Sequence, residues 1–425
     1  MDWGWDNARA LIGIALILAI AWAVSENRKA FPWKIALGAV GIQFAFALIL
    51  FGVPIVREGL FAANNVVDGL IAATAYGTQF VFGPAFGTQA GWESLTGQPG
   101  PIFAVHLLPL IIVVAALSAI LWHWRILRWI TKGFAIIFRR FMGLGGATSL
   151  AVSANVFMGM TEAPVLVKPY IKKMTRSEIF ILMTVGFATV AGSVLVLYGA
   201  FLKDTLPNAL GQLLAASLIA APAAVAMALI MVPETVDDKQ RANEPDFEYE
   251  STMDAFATGA SDGLKIVANI VTMLIAAFAM LYLVNLALGA LPNVGGAALS
   301  IERVLGWVFS PLMYMIGVPM GEAAQSGSLM GVKTVLTEFV AFLQLSGEGG
   351  AGLSQRTSMI TAHAICGFAN FGSIGILIGG LSIIEPARRS TFLELAWKTL
   401  LAGTLATCMS GAIVGALPAG LFFGS

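Results

Sequence analysis

The chain has 425 residues, of which 58% are hydrophobic and 11% charged, and its 24 Lys and Arg balance its 24 Asp and Glu. Ordinary soluble domains carry about 25% charged residues, so that class is excluded, and a formal net charge of zero gives no electrostatic basis for binding nucleic acid. With a mean hydropathy of +0.84, the chain reads as an all-α polytopic membrane protein.

The extreme N-terminus, Met1 to Asp6, lacks the basic region of a signal peptide, so the first apolar run, residues 10–23, is expected to be a permanent span. Arg28, Lys29 and Lys34 follow it. Lys and Arg favour the cytoplasmic side, which places this linker inside and the N-terminus outside. A second span, 35–53, leads to a long connection. Its first half, 57–82, mixes apolar residues with Asn64, Asn65, Asp68 and Gln79, a pattern for a helix lying along the interface. Its second half, up to Pro101, reads as a loop rich in Gly and Pro. A third span, 102–122, returns to the basic cluster Arg125, Arg128, Lys132, Arg139 and Arg140.

Between Arg140 and Lys168 lie 27 residues whose only charge is Glu162. One span needs about 20 residues and an out-and-back pair about 40, and both flanks are basic, so the segment is expected to be a re-entrant hairpin. A carboxylate at that depth is costly enough to mark a binding site. Next comes a span at 179–198, weakened by Gly, Thr and Ser between Gly186 and Ser193, and another at 206–231. An acidic, polar cytoplasmic loop covers 233–254, followed by a weakly amphipathic piece (255–265) and an outward span (266–288). Between Arg303 and Lys333 the only charge is Glu322, and here too the length predicts a hairpin. A connection through Glu338 and the Gly-rich 347–352 leads to a broken apolar segment, 358–384. Arg388 and Arg389 mark the inside, and a last span takes the C-terminus outside.

The halves repeat. Met158-Gly159-Met160-Thr161-Glu162-Ala163 resembles Met320-Gly321-Glu322-Ala323, and Gly186-Phe187-Ala188-Thr189 resembles Gly367-Phe368-Ala369-Asn370, in the same order. By the charge count the two hairpins open to opposite sides. Inverted repeats with broken helices and polar groups near the midplane are the signature of a secondary transporter. About eight transmembrane helices plus two re-entrant hairpins are expected. They divide into N-terminal spans, mostly scaffold, with an interfacial helix (1–140), a first repeat (141–232), a loop, interfacial helix and scaffold span (233–302), and a second repeat (303–425).

Two hairpin tips meeting at the midplane would bring together Thr161, Glu162, Glu322, Asn370 and Ser373, with Asn155 and Thr189 close by. No Lys or Arg lies inside either hairpin, so this inventory suits a neutral, hydroxylated solute, with Phe368 offering an aromatic face. Oxygens of Asn155, Thr189 and unwound backbone suit a small hard cation. The blander reading is that either acid merely caps or pairs within the fold and that Asn155 and Thr189 pack helices; its weakness is that the acids recur in matched motifs. Gly143-Leu144-Gly145-Gly146 is followed by no Lys-Ser or Lys-Thr and is not a phosphate loop. Cys366 and Cys408 sit in apolar segments as packing residues, and the three histidines lack ligand spacing. A channel would need a selectivity-filter-like run, and an intramembrane enzyme a zinc motif or nucleophile elbow. The chain shows neither.

At these residues the chain resembles the concentrative nucleoside transporter family in its short bacterial form. The likeness is carried by Asn155 to Pro164, Gly186 to Ser193, Val318-Pro319 with Glu322-Ala323, Thr337-Glu338-Phe339-Val340-Ala341, and Cys366 to Asn370. The resemblance implies a homotrimer in the bacterial inner membrane, with a mobile transport domain working against a scaffold. It also implies sodium-driven symport of nucleosides such as uridine and adenosine; some relatives use protons. Carried across, it puts Gly159, Met160, Thr161, Glu162 and Val194 around the nucleobase, and Glu322, Asn370 and Ser373 on the ribose with Phe368 beside them. Sodium would be held by side chains of Asn155 and Thr189 and carbonyls of Met158 and Val190. Met160 stands where many relatives have Gln, and a thioether cannot replace an amide's donor and acceptor, so looser contact with the base is expected. Thr189 keeps the hydroxyl where relatives often have Ser.

Overall fold

The computed structural model describes residues 3–97, 102–160, 163–234, 249–296 and 298–423. Their regular structure is helical. In chain order come α1 (Trp5–Ala23), α2 (Trp33–Gly52), α3 (Pro54–Phe86), α4 (Gln89–Thr96), α5 (Pro109–His123), α6 (Ile126–Met142), α7 (Gly146–Asn155) and the short α8 (Ala163–Leu166) and α9 (Lys168–Ile171). They are followed by α10 (Arg176–Ala188), α11 (Gly192–Leu202), α12 (Ala209–Met231) and α13 (Thr252–Gly289). The last third holds α14 (Ile301–Met315), α15 (Met320–Val335), α16 (Glu338–Leu345), α17 (Gln355–Ile365), α18 (Phe371–Ile384), α19 (Arg389–Ala416) and α20 (Gly420–Phe423). Seven helical stretches among the described residues are long and apolar enough to cross a membrane: α1, α2, α5 with the π-helical turn before it, α10 with α11, α12, α13, and α19 with the turn before it. The pair α17 and α18, interrupted between them, makes the eighth.

α12 and α19 form the buried centre, with α10 and α17 packed against them. The repeat is visible in the order of parts: a span (α5 or α13), a helix beside it (α6 or α14), a hairpin arm (α7 or α15), a broken helix (α10 and α11, or α17 and α18) and a central span (α12 or α19). The two breaks touch. A Cβ on Gly367 would lie 2.8 Å from the carbonyl oxygen of Phe187 and 2.6 Å from Thr407 Cγ2, so only glycine lets the backbones come this close. No proline causes either interruption. The chain stops being helical at Thr189 (φ −111°, ψ 165°) and at Cys366 (φ −73°, ψ 84°), and in the second break Asn370 (φ −141°, ψ 167°) caps the new helix by accepting from Ser373 N at 2.8 Å.

Two expectations are corrected. The second half of the connection after α2 is not a loop: α3 continues to Phe86, kinks at Gly83 (φ 77°, ψ 164°), and gives way to α4, capped by Thr88. Gly83 takes the left-handed bend and Pro84 starts the next turn, so residues read as breakers serve as a kink and a helix start. The second correction concerns the second hairpin. Residues 303–333 do double back as α14 and α15, but their turn, 316–319, is not at the centre. It packs against the ends of α1 and α19: Arg9 Nη2 donates to Val318 O at 2.8 Å, and Gly317 faces Ala10 and Gly415. The turn that reaches the two breaks is Leu336-Thr337, between α15 and α16. Thr337 caps α16 by accepting from Val340 N at 3.2 Å.

The α14 end approaches α1 closely, and this gives a stability test. A Cβ on Gly13 would lie 2.4 Å from the carbonyl oxygen of Met315, a backbone atom that cannot step aside. Gly13→Ala is expected to cost about 1–3 kcal/mol, read as a lower midpoint in thermal unfolding of the detergent-solubilised protein.

The linker after α1 is tied down by charge. Arg176 bonds Glu26 at 2.8 Å and Glu394 at 2.7 Å, and Lys398 also pairs with Glu26. The bond from Arg176, aided by Lys398 and opposed by partial burial, holds the Glu26 carboxyl below the usual carboxylate range. Its stabilisation is therefore complete above the unfolded carboxyl's titration and fades as pH falls through the lower folded value. The thermal stability difference between parent and Glu26→Gln should be constant at neutral pH, worth less than about 1 kcal/mol, and should vanish in acid below that range.

α13 is the outlier in burial. Its apolar stretch carries exposed Ile275, Met280, Tyr282 and Leu286, a face that only lipid or another chain would cover. On another face it lies tight on α5: a Cβ on Gly259 would be 2.7 Å from Ala119 Cβ, and one on Gly263 2.7 Å from Ile112 Cα. Small residues four apart let two membrane helices approach in this way.

Candidate functional site

A cavity of about 200 Å³ opens where the first hairpin, the two breaks and the turn after α15 converge. Gly159 and Met160 reach it from the first hairpin, Ala191, Val194 and Tyr198 from α11 and the residue before it, Thr337, Glu338 and Phe339 from the second turn, and Phe368, Asn370 and Ser373 from the second break. Ile266, Asn269, Ile270 and Leu274 of α13 form the facing wall. The first hairpin is held in place by its own backbone, since Gly192 N donates to Phe157 O at 3.0 Å. At its base Thr148 Oγ1 donates to Glu178 Oε1 at 2.8 Å, and Glu178 and Thr175 cap α10 reciprocally.

Six of the expected substrate residues thus line one chamber: Gly159, Met160, Val194, Phe368, Asn370 and Ser373. Thr161 and Glu162 lie outside the described residues. Glu322 is elsewhere. It stands in the first turn of α15, where its carboxylate accepts from Ser354 N at 3.2 Å and from Ser354 Oγ at 2.9 Å. From there to the end of α15 is 13 residues, about 20 Å of helical rise.

The carboxylate that the structure does bring to the chamber is Glu338. It is 4% exposed, with Oε1 accepting from Tyr198 Oη at 2.7 Å and Oε2 from Asn370 Nδ2 at 3.0 Å. Tyr198 is itself anchored by ring contacts with Phe342, Phe339 and Phe201. Asn370 is oriented by two bonds, its amide nitrogen on Glu338 and its oxygen on Ser373 N, which leaves one N–H and one lone pair for a solute. Break and tip are therefore locked to each other by one acid. A signal for it stood in the sequence: Thr337-Glu338 at the second turn repeats Thr161-Glu162 at the first.

Two of the expected cation ligands, Asn155 and Thr189, also meet. Thr189 Oγ1 lies within hydrogen-bond reach of Asn155 O at 3.0 Å and Val185 O at 2.9 Å, its single proton shared between them, which joins the end of α7 to the end of α10. Asn155 is 1% exposed, its nitrogen bonded to Ala151 O, while its Oδ1 has no hydrogen-bond partner among the described residues. A buried acceptor left over at the meeting point of two helix C-termini fits a hard cation. Val190 N is turned toward Ser217 Oγ at 3.4 Å, and Met158 closes the turn after α7.

The chamber is mostly apolar, with no Lys or Arg among the lining residues, and Tyr198, Glu338, Asn370 and Ser373 form one bonded polar cluster in its wall. A neutral solute with one flat apolar part and one hydroxylated part matches it.

Comparison with known proteins agrees. The chain matches the model for the Na+ dependent nucleoside transporter N-terminus over residues 12–85, that for nucleoside recognition over 104–205, and that for the Na+ dependent nucleoside transporter C-terminus over 212–415. It is 34% identical to the nucleoside permease NupC of Helicobacter pylori, covering 98% of this chain and 97% of that one. It is 32% identical to the sodium/nucleoside cotransporter 1 of Rattus norvegicus, covering 95% of this chain and 63% of the rat protein. Among solved structures, CNTnw in an inward-facing substrate-bound state superposes with a TM-score of 0.87 at 37% identity, covering 96% of this chain and 98% of that one. The chain is a multi-pass membrane transporter, not an enzyme, and it belongs to the concentrative nucleoside transporter family.

Proposed function

We propose that this protein imports nucleosides, uridine and adenosine among them, across the bacterial inner membrane by sodium-coupled symport. The observation that carries the reading is the chamber in which Glu338, Asn370 and Ser373 cluster opposite Met160 and Val194, beside the unpartnered oxygen of Asn155. The nucleobase lies toward Gly159, Met160 and Val194, with Thr161 and Glu162 assigned to that end from the sequence. The ribose hydroxyls lie toward Glu338, which takes the place given to Glu322, with Asn370, Ser373 and Phe368.

Sodium bound by Asn155 and Thr189 side chains and by carbonyls of Met158 and Val190 stiffens the first hairpin. The nucleoside then bridges hairpin tip and second turn, and the unit built on α12 and α19 moves past α5 and α13 to expose the chamber inside. Both termini face outward, and the exposed face of α13 is covered by two further copies in a homotrimer.

Uptake of radiolabelled uridine and adenosine into proteoliposomes under an imposed sodium or proton gradient tests this. Accumulation driven by sodium at equal pH is expected. Accumulation driven by a pH gradient without sodium would transfer coupling to protons, and none under either gradient would remove nucleoside symport.

A further inference from the structure

α6 is basic and amphipathic, and none of its residues lines the substrate chamber. No Asp or Glu occurs between Glu93 and Glu162, whereas Arg125, Arg128, Lys132, Arg139 and Arg140 fall on this helix or just before it. At about 3.6 residues per turn, Thr131, Phe138 and Met142 share the buried side. Arg128, Lys132 and Arg139 share the flank beside it, and Trp129 and Ile136, 80% and 59% exposed, lie beyond them. Arg139 and Arg140 are both exposed in the last turn, with no hydrogen bond or ion pair among the described residues. The start of α2 comes to the same end: a Cβ on Gly38 would lie 3.9 Å from Phe141 O, and Lys34, one turn earlier, is exposed. Water would leave the apolar flank bare and hydrocarbon would strand the arginines, so α6 fits the boundary between the two.

The inner side of α6 bears on the first hairpin. Leu127 and Met158 pack on one cluster with Ala154, and the Phe134 ring lies 5.7 Å from that of Phe157. Ala154, Phe157 and Met158 surround Asn155 in sequence, so whatever holds α6 holds the platform under the Asn155 and Thr189 junction. We propose that Arg139, Arg140 and Lys34 bind the phosphate groups of anionic phospholipids, and that this grip steadies α6 and the hairpin resting on it. Charge decides the partner. A zwitterionic headgroup brings its own cation, while an acidic one leaves net negative charge for a cluster that has no acid on its helix. Guanidinium groups pair well with phosphate oxygens, and each cation at an anionic surface favours binding by about fivefold. The effect on the hairpin rests on the sodium-coupled reading above; the lipid binding does not.

The purified full-length protein, melted in detergent with added phosphatidylglycerol or phosphatidylcholine, tests the lipid site. Phosphatidylglycerol is expected to raise the unfolding midpoint of the parent where phosphatidylcholine does not, and Arg139→Gln with Arg140→Gln should need about 25-fold more of it, two cations at fivefold each. Arg139→Lys with Arg140→Lys should keep most of the response, and added salt should weaken it. Equal midpoints of the parent in the two lipids would overturn the proposal. A Gln pair that loses the same stability in both lipids would do so too, since that is the result if the arginines only complement the carbonyl end of α6. In proteoliposomes, a two-to-one mixture of phosphatidylcholine and phosphatidylglycerol should lower the sodium needed for half-maximal uridine uptake by about fivefold relative to phosphatidylcholine alone, in the parent but not in the Gln pair. A sodium requirement indifferent to lipid would overturn the link to the hairpin. Uptake without any sodium dependence would defeat the coupled reading instead, and the melting result would still decide the lipid site.

Discussion

Glu338→Gln is expected to lower kcat/KM for uridine uptake by about 100-fold or more, the largest effect of any conservative change in the chamber. The carboxylate accepts from Tyr198 and Asn370 at 2.7 and 3.0 Å, and the remaining lone pairs face the chamber. An amide of the same shape can keep only one of its two ends as an acceptor, so the Tyr198 hydroxyl must turn round to accept, and the negative charge offered to the solute is gone. Charged hydrogen bonds contribute about 1.5–3 kcal/mol each, and losing one or two of them to ribose hydroxyls corresponds to roughly 10-fold to 20,000-fold. Glu322→Gln is the control: its carboxylate bonds Ser354 and is not among the residues lining the chamber, and uptake should stay within about threefold of the parent. The measurement is initial uptake rate against uridine concentration in sodium-loaded proteoliposomes. If the two variants exchanged phenotypes, the ribose end of the site would have to be moved to α15.

The second large effect is expected in sodium rather than nucleoside. Asn155→Ala deletes the one buried side-chain oxygen left without a partner beside Thr189, and a lost charged contact of about 1.5–3 kcal/mol should raise the sodium concentration for half-maximal uptake by roughly 10-fold to 100-fold. At saturating sodium the uridine dependence should approach that of the parent, since Asn155 does not line the chamber. Thr189→Ser should be mild and Thr189→Ala severe, because the hydroxyl is what the two helix ends share. A sodium titration of uptake checks all three. Unchanged half-activation in Asn155→Ala and Thr189→Ala would take the cation away from this junction.

Much of this arrangement was legible in the residues themselves. The first hairpin announced itself by an awkward length between basic flanks, and the breaks by Gly186 to Ser193 and Cys366 to Ser373, because backbone that leaves a helix inside a membrane needs small or polar residues to do so. The second hairpin was misplaced for a physical reason. A lysine ordinarily ends an apolar segment, since it seeks the interface, which makes Lys333 read as the border and Glu338 as part of a connection. Lys333 is instead wholly buried, and the intramembrane stretch continues through Thr337 and Glu338 to the end of α16. The weak similarity between the motifs around Glu162 and Glu322 then concealed the stronger one, Thr-Glu at each turn. Gly83 and Pro84 misled in the opposite sense: both were counted as breakers, although a proline is well placed at the start of a helix.

The seam formed by Gly259 and Gly263 constrains how such a machine wears its moving joint. Where two backbones touch, sliding by even one residue would drive a side chain into the opposing main chain, so α5 and α13 behave as one rigid rail. Farther along α13 the same helix face, now carrying Ile266, Ile270 and Leu274, presents smooth aliphatic side chains to the chamber, with Asn269 as the lone amide among those that line it. Under the movement proposed above, that stretch is the bearing surface. A bulky or charged residue introduced there should brake the return stroke without weakening the grip on cargo.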